Sequence, residues 1–170
     1  VQTRATGAQT GNITVSNAIA WSSGSTLTLD AHNNIIVNAA ITGNNLRFVV
    51  GNDLQLNAAI SGAGSLTIQQ AADSTTVGIG ASAVGTLNLS TTDLSYMVGG
   101  GWSDIIIGKL TATAAMDIRT TTWSSNLTLR SGSGTISVNT GSFNVGSNNL
   151  SIVTNGDIAI NSGASLTGTG

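Results

Sequence analysis

Apolar and polar residues alternate in short stretches along this chain: Ile13-Thr14-Val15, Leu27-Thr28-Leu29, Leu54-Gln55-Leu56, Leu66-Thr67-Ile68, Leu87-Asn88-Leu89 and Leu127-Thr128-Leu129. A period of two, built on β-branched residues and Leu and bounded by Gly, Asn, Ser and Asp, predicts β-strands. No 11-residue window carries an i, i+3, i+4, i+7 apolar stripe free of Gly, so no helix is expected. The stretches also repeat. NAAITG (Asn38 to Gly43) returns as NAAISG (Asn57 to Gly62) 19 residues later, and NITVSNAIAWSSGSTLTL (Asn12 to Leu29) is a longer copy of the same phrase. TISVNTGSFNVGSNNLSI (Thr135 to Ile152) likewise matches DIAINSGASLTG (Asp157 to Gly168). Eight units follow, with first apolar strand positions at Ile13, Ile35, Leu54, Val77, Leu94, Ile118, Ile136 and Ile158.

Units of ~20 residues with two short strands and tight Gly/Asn corners predict the coils of a parallel β-helix. The expected fold is therefore an all-β solenoid of about eight coils, a rod of roughly 38 Å at the ~4.8 Å strand spacing. It forms one domain over 1–170 and reads as a segment of a longer repetitive chain. Its inward columns are expected to include Ile13, Ile35, Leu54, Leu66, Leu87, Leu127, Ile136, Leu150 and Ile158. Asn38 over Asn57, and Asn139 near Asn161, are expected to stack as amide ladders. An antiparallel two-sheet sandwich is the competing reading, but it gives no reason for equivalent residues to recur at a fixed interval.

Composition agrees with a stack. Gly, Thr, Ser and Asn make up half of the 170 residues, while charged residues are 7% and Glu, Cys and Pro do not occur. Like charges repeated every ~4.8 Å would repel one another, and Pro would remove a donor from strands paired on both sides. A 40% hydrophobic content with so few charges argues against disorder. The net charge of −2 excludes the basic face that nucleic acid requires. No apolar run is long enough to span a bilayer, and no secretion signal opens the chain at Val1. Without Cys there are no disulfides and no thiolate metal sites.

Candidate chemistry is sparse. Asp53, Asp93, Asp104, Asp117 and Asp157 each precede an apolar strand residue, a corner position where Asp accepts local backbone hydrogen bonds. Polysaccharide cleavage on a β-helix needs paired carboxylates, and Asp93 with Asp117, one coil apart, is the one pairing the spacing offers. His32 stands alone in AHNN and reads as a solvated turn residue, without partners for metal binding or serine catalysis. GGGWSDIII (Gly99 to Ile107) has the outline of a calcium-binding nonapeptide, but Trp102 stands where Gly is needed and no tandem copy follows. The outward row Thr28, Arg47, Thr67, Asn88, Ile106, Thr128, Ser151, Thr167 is too irregular to bind ice. No cofactor or metal site is expected. Trp21, Trp102 and Trp123 are candidate surface contacts for a sugar ring or an interface, or alternatively packing caps between a loop and the sheet.

The phrases NITV…WSSGSTLTLDAHNNIIVNAAITG, VGIGASAVGTLNLSTTDL (Val77 to Leu94), GWSDIIIGKL (Gly101 to Leu110) and WSSNLTLRSGSGTISVN (Trp123 to Asn139) resemble the repeat region of filamentous-haemagglutinin-like exoproteins. The likeness covers nearly the whole chain. It implies a right-handed β-helix within a very large secreted adhesin on a bacterial cell surface, with no catalytic residues in this region. It also implies export through an outer-membrane transporter that recognises segments outside this one. The family's amino-terminal secretion domain carries Asn-Pro motifs, and this chain has no Pro. The expected function is a non-enzymatic shaft displaying binding modules elsewhere. The expected partners are neighbouring repeats or copies of the chain end to end, with a host-cell or biofilm glycan or protein as further candidates. Two alternatives remain at this stage: a filament subunit stacking end to end, and a glycan-binding or glycan-cleaving β-helix.

Overall fold

In a computed structural model describing residues 1–3 and 10–169, the chain winds as a β-solenoid of about seven turns spaced ~22 residues apart, with 46% of residues in strands. Every strand pairing among the described residues is parallel. The first coil holds β1 (Ile13–Val15), β2 (Ile19–Ala20) and β3 (Thr26–Ala31). The second holds β4 (Ile35–Val37), β5 (Ile41–Gly43) and β6 (Asn45–Val50), and the third β7 (Leu54–Leu56), β8 (Ile60–Gly62) and β9 (Ser65–Gln70). The fourth is enlarged: β10 (Val77–Ile79), β11 (Leu87–Leu89), α1 (Thr91–Met97) and β12 (Asp104–Gly108). Regular coils resume with β13 (Met116–Ile118), β14 (Thr121–Thr122) and β15 (Asn126–Arg130), then β16 (Ile136–Val138), β17 (Gly141–Asn144) and β18 (Leu150–Val153), and finally β19 (Ile158–Ile160) and β20 (Ala164–Thr167).

Each regular coil gives one strand to each of three faces. One face runs unbroken as β3-β6-β9-β12-β15-β18. The second is split into β1-β4-β7 and β11-β10-β13-β16-β19, and the third into β2-β5-β8 and β14-β17-β20. Inward columns follow the alternation: Ile13, Ile35 and Leu54 stack, as do Leu46, Leu66, Ile105, Leu127 and Leu150. Apolar side chains in such columns leave water together, which supplies the main driving force for winding. Side-chain amides add inter-coil bonds, Asn57 Nδ2 donating to Asn38 Oδ1 at 2.8 Å and Asn161 Nδ2 donating to Asn139 Oδ1. At the first coil, residues Val1 to Thr3 lie along β3, with Thr3 N donating to Asp30 O and Asp30 N to Val1 O, both at 2.9 Å.

The structure corrects five expectations. The units assigned to Val77 and Leu94 are one enlarged coil, so there are about seven coils and not eight. Ile118 is not the first apolar residue of its strand; Met116 pairs with Val77 and Ile136 in that column. A helix exists, α1, in a chain expected to have none. Of the expected inward positions, Ile158 keeps register with Ile136 yet is 54% exposed, and Leu150 is half-buried, because nothing described stacks beyond the last coil. The outward row holds as Thr28, Arg47, Thr67, Ile106, Thr128 and Ser151, whereas Asn88 and Thr167 belong to other faces.

Candidate functional site

The irregular fourth coil concentrates the chain's unusual chemistry. After β10, Gly80 (φ 100°) and Ser82 (φ 60°) turn the chain back so that it crosses the outer face of β10 and enters β11 on that strand's other edge. The crossing is close enough to require glycine. A Cβ on Gly78 would meet the backbone of Val84 and Gly85 at 3.0–3.1 Å, and one on Gly85 would run into Val77 and Gly78. β11 thereby occupies the place next to β7 without entering its sheet, and α1 stands where a strand beside β8 would run.

Helix α1 begins with a capping box. Ser90 Oγ accepts from Asp93 N, while the Asp93 carboxylate accepts from Ser90 N at 3.0 Å and from Ser90 Oγ. The same carboxylate reaches across to β7 and accepts from Leu56 N at 2.8 Å. In return, Asp53, at the head of β7, accepts from Asn88 N of β11 at 3.1 Å. Two carboxylates thus replace the backbone carbonyls that an adjoining strand would have supplied. Unpaired strand N–H groups are costly when buried, which explains why acids stand here in so uncharged a chain.

These residues line a cleft of about 290 Å³ with Leu54, Gln55, Asn57, Ser90 and Thr92. Burial pushes the Asp53 carboxyl above its ordinary range; the N–H groups of Asn88 and Leu54 oppose this, and the charge of Asp93 adds to it. The pair that forms is therefore Asp53 with Asp93, not Asp93 with Asp117. Asp117 lies mid-strand in β13, where its carboxylate accepts from Val84 N at 2.7 Å, Arg119 Nε at 3.0 Å and Asn139 Nδ2. Burial raises its pKa, but those bonds outweigh burial and hold it below the usual value. Asp104 accepts from Thr128 Oγ1 of the next coil at 3.2 Å, and burial leaves it raised despite that bond. Asp73 is held low by Lys109, whose Nζ lies 2.6 Å away, and by Thr111. All of these acids serve the stack.

His32 is an exposed corner residue whose backbone N–H donates to Thr3 Oγ1 at 2.9 Å. Among the described residues, no group of three or more His, Cys, Asp or Glu is placed to hold a metal ion.

The tryptophans do not form a surface platform. Trp102 and Trp123 are 3% and 2% exposed, correcting their assignment as contacts for a partner, and the indole N–H of each finds no acceptor. Only Trp21 is partly open, its Nε1 donating to Ser25 O at 3.0 Å. Trp21 lies on Gly43 and Trp102 on Gly62, and these two glycines are register partners in β5 and β8. The rings are knobs filling the space left by two stacked glycines, one from each side. A polar-pattern reading misses this because each ring and its glycine lie about one coil or more apart in sequence.

In comparisons with known proteins, the chain matches no protein-family model, no curated protein and no solved structure.

Proposed function

We propose that this chain is a non-enzymatic shaft segment of a large secreted bacterial surface adhesin of the filamentous-haemagglutinin-like kind. The observation that carries the reading is the unbroken six-stranded parallel sheet running the length of the rod, with its inward columns buried from β6 to β15. Every acid with a described carboxylate contact spends it on holding coils or corners together. Such a rod sets a distance between modules at its ends, and the transporter that exports it acts on segments elsewhere in the protein. In the producing bacterium, antibody to this segment should label intact cells, and external protease should remove the label. A purified segment should bind nothing on a glycan array and cleave no polysaccharide. Saturable glycan binding lost in Asp93→Ala, or an exclusively cytoplasmic location, would overturn the proposal.

A further inference from the structure

The hydrogen-bond ladders are not equally continuous along the rod. Between the third and fourth coils, two of the three faces are broken: β7 ends one sheet and β11 begins the next, while β8 ends another and α1 stands beside it. Only the face containing β9 and β12 passes through as a regular ladder. The corner that follows β9 is also tied across, Lys109 Nζ donating to Ala71 O and Thr113 N and Ala114 N to Asp73 O. On the two broken faces and at the entry to β9 and β12 the bonds are few: Leu56 N to Asp93, Asn88 N to Asp53, Gly62 N to Gly100 O and Ser103 N to Gly64 O, the last two at 2.9 Å. On the two broken faces the apolar core is bridged by Leu94 and Met97 of α1 and by Trp102, while regular ladder stacking crosses at β9 and β12, Leu66 on Ile105 and Ile68 on Ile107.

In a solenoid, stability is a sum of repeat terms and nearest-neighbour interface terms, so cooperativity fails first at the weakest interface. A short helix, marginal without its packing, makes a weaker interface than a strand paired along both edges. We infer that the junction between the third and fourth coils is a built-in joint, at which α1 lifts from β7 and β8 while the β9–β12 pairing holds. The Asp93 carboxylate is its latch, since it ties the start of α1 to the edge of β7. This inference does not rest on the shaft proposal, because it concerns where the stack opens and not what the rod carries.

Native-state hydrogen exchange on the full chain tests it. The amides of Leu56 and Asn88 should exchange at least about tenfold faster than those of Asn57 and Asn139, which donate to Val37 O and Ile118 O within continuous ladders. Asp93→Asn, which keeps one acceptor oxygen, should accelerate Leu56 further and leave Asn139 unchanged. If Asp93→Asn does not fold, Thr92→Gly provides the second arm. It weakens α1 without touching the carboxylates, and should speed Leu56 exchange and spare Asn139 in the same way. Exchange of Leu56 and Asn88 only with global unfolding, at the rate of Asn139, would overturn the inference. So would a variant that accelerates all four amides equally.

Discussion

Glycine 62 and tryptophan 102 give the sharpest test of the packing. A methyl group added at Gly62 would lie 2.7 Å from Cη2 of Trp102 and 2.8 Å from Asn44 O, and closer still to Cζ3. Ordinary carbon contacts lie at ~3.5–4.0 Å, so the ring or the backbone must yield. Neither yields easily, because Trp102 is 3% exposed and Asn44 O accepts from Gly64 N at 3.0 Å. Overpacking of this kind costs about 1–3 kcal/mol, and these rigid neighbours put Gly62→Ala near the upper end. At ~2–4 °C per kcal/mol for a chain of this size, the melting temperature should fall by roughly 6–12 °C. Trp102→Leu alone leaves a void and should cost about 2–3 kcal/mol. In the double variant the new methyl enters that void, so it should be no less stable than Trp102→Leu, a coupling of about 2–3 kcal/mol. Thermal melting followed by circular dichroism on the four proteins measures this cycle. Additive losses, or a Gly62→Ala melting point within about 2 °C of the parent, would refute the knob-and-glycine packing.

Further outcomes follow from the columns and the junction. Leu54→Asp puts an unpaired charge in a column that is 1% exposed and should cost several kcal/mol, whereas Thr67→Asp, on the outward row beside Arg47, should cost under ~1 kcal/mol; equal losses in urea titrations would contradict the inward–outward assignment. Asp53 has a raised folded pKa, so its stabilising contribution is present below the ordinary carboxyl range and is lost as pH rises through the folded value. Asp53→Asn keeps an acceptor for Asn88 N and should therefore melt at or above the parent temperature at pH 7, with the gain disappearing in acid. Asp117 has the opposite sign: its lowered pKa contributes stability above the ordinary range that is lost as pH falls through the folded value, so Asp117→Asn should weaken the protein at neutral pH and flatten its acid transition.

Much of the fold was legible because equivalent residues recur in phase. Ile13, Ile35 and Leu54 share a column, and Asn38 bonds Asn57, because a repeat of about one coil brings like residues face to face. The fourth coil was not legible for two physical reasons. α1 spans seven residues, shorter than the window in which a 3.6-residue period can be recognised. Its signal was instead local, Ser90 followed three residues later by Asp93 at the start of the helix. β11 follows β10 in sequence but precedes it in the stack, so counting units along the chain splits one coil into two. The Asp53–Asp93 pair depends on that reversal, and no spacing rule for regular coils would have joined them. For Trp102 and Trp123 the sequence offered both surface contact and packing cap; what it did not show is the glycine that Trp102 covers, which lies in the preceding coil, far off in sequence.

Parallel stacking in this register is the claim on which everything else stands, and an engineered cross-link tests it most directly. Thr42 and Ser61 are register partners on adjacent coils, with hydroxyl oxygens 3.3 Å apart, and the chain has no other cysteine to compete. Thr42→Cys with Ser61→Cys should oxidise to an intrachain disulfide in the folded protein, while Thr42→Cys with Thr67→Cys, on a different face, should not. Failure of the first pair to close under native conditions, or equal closure of both pairs, would contradict the stacked-coil account.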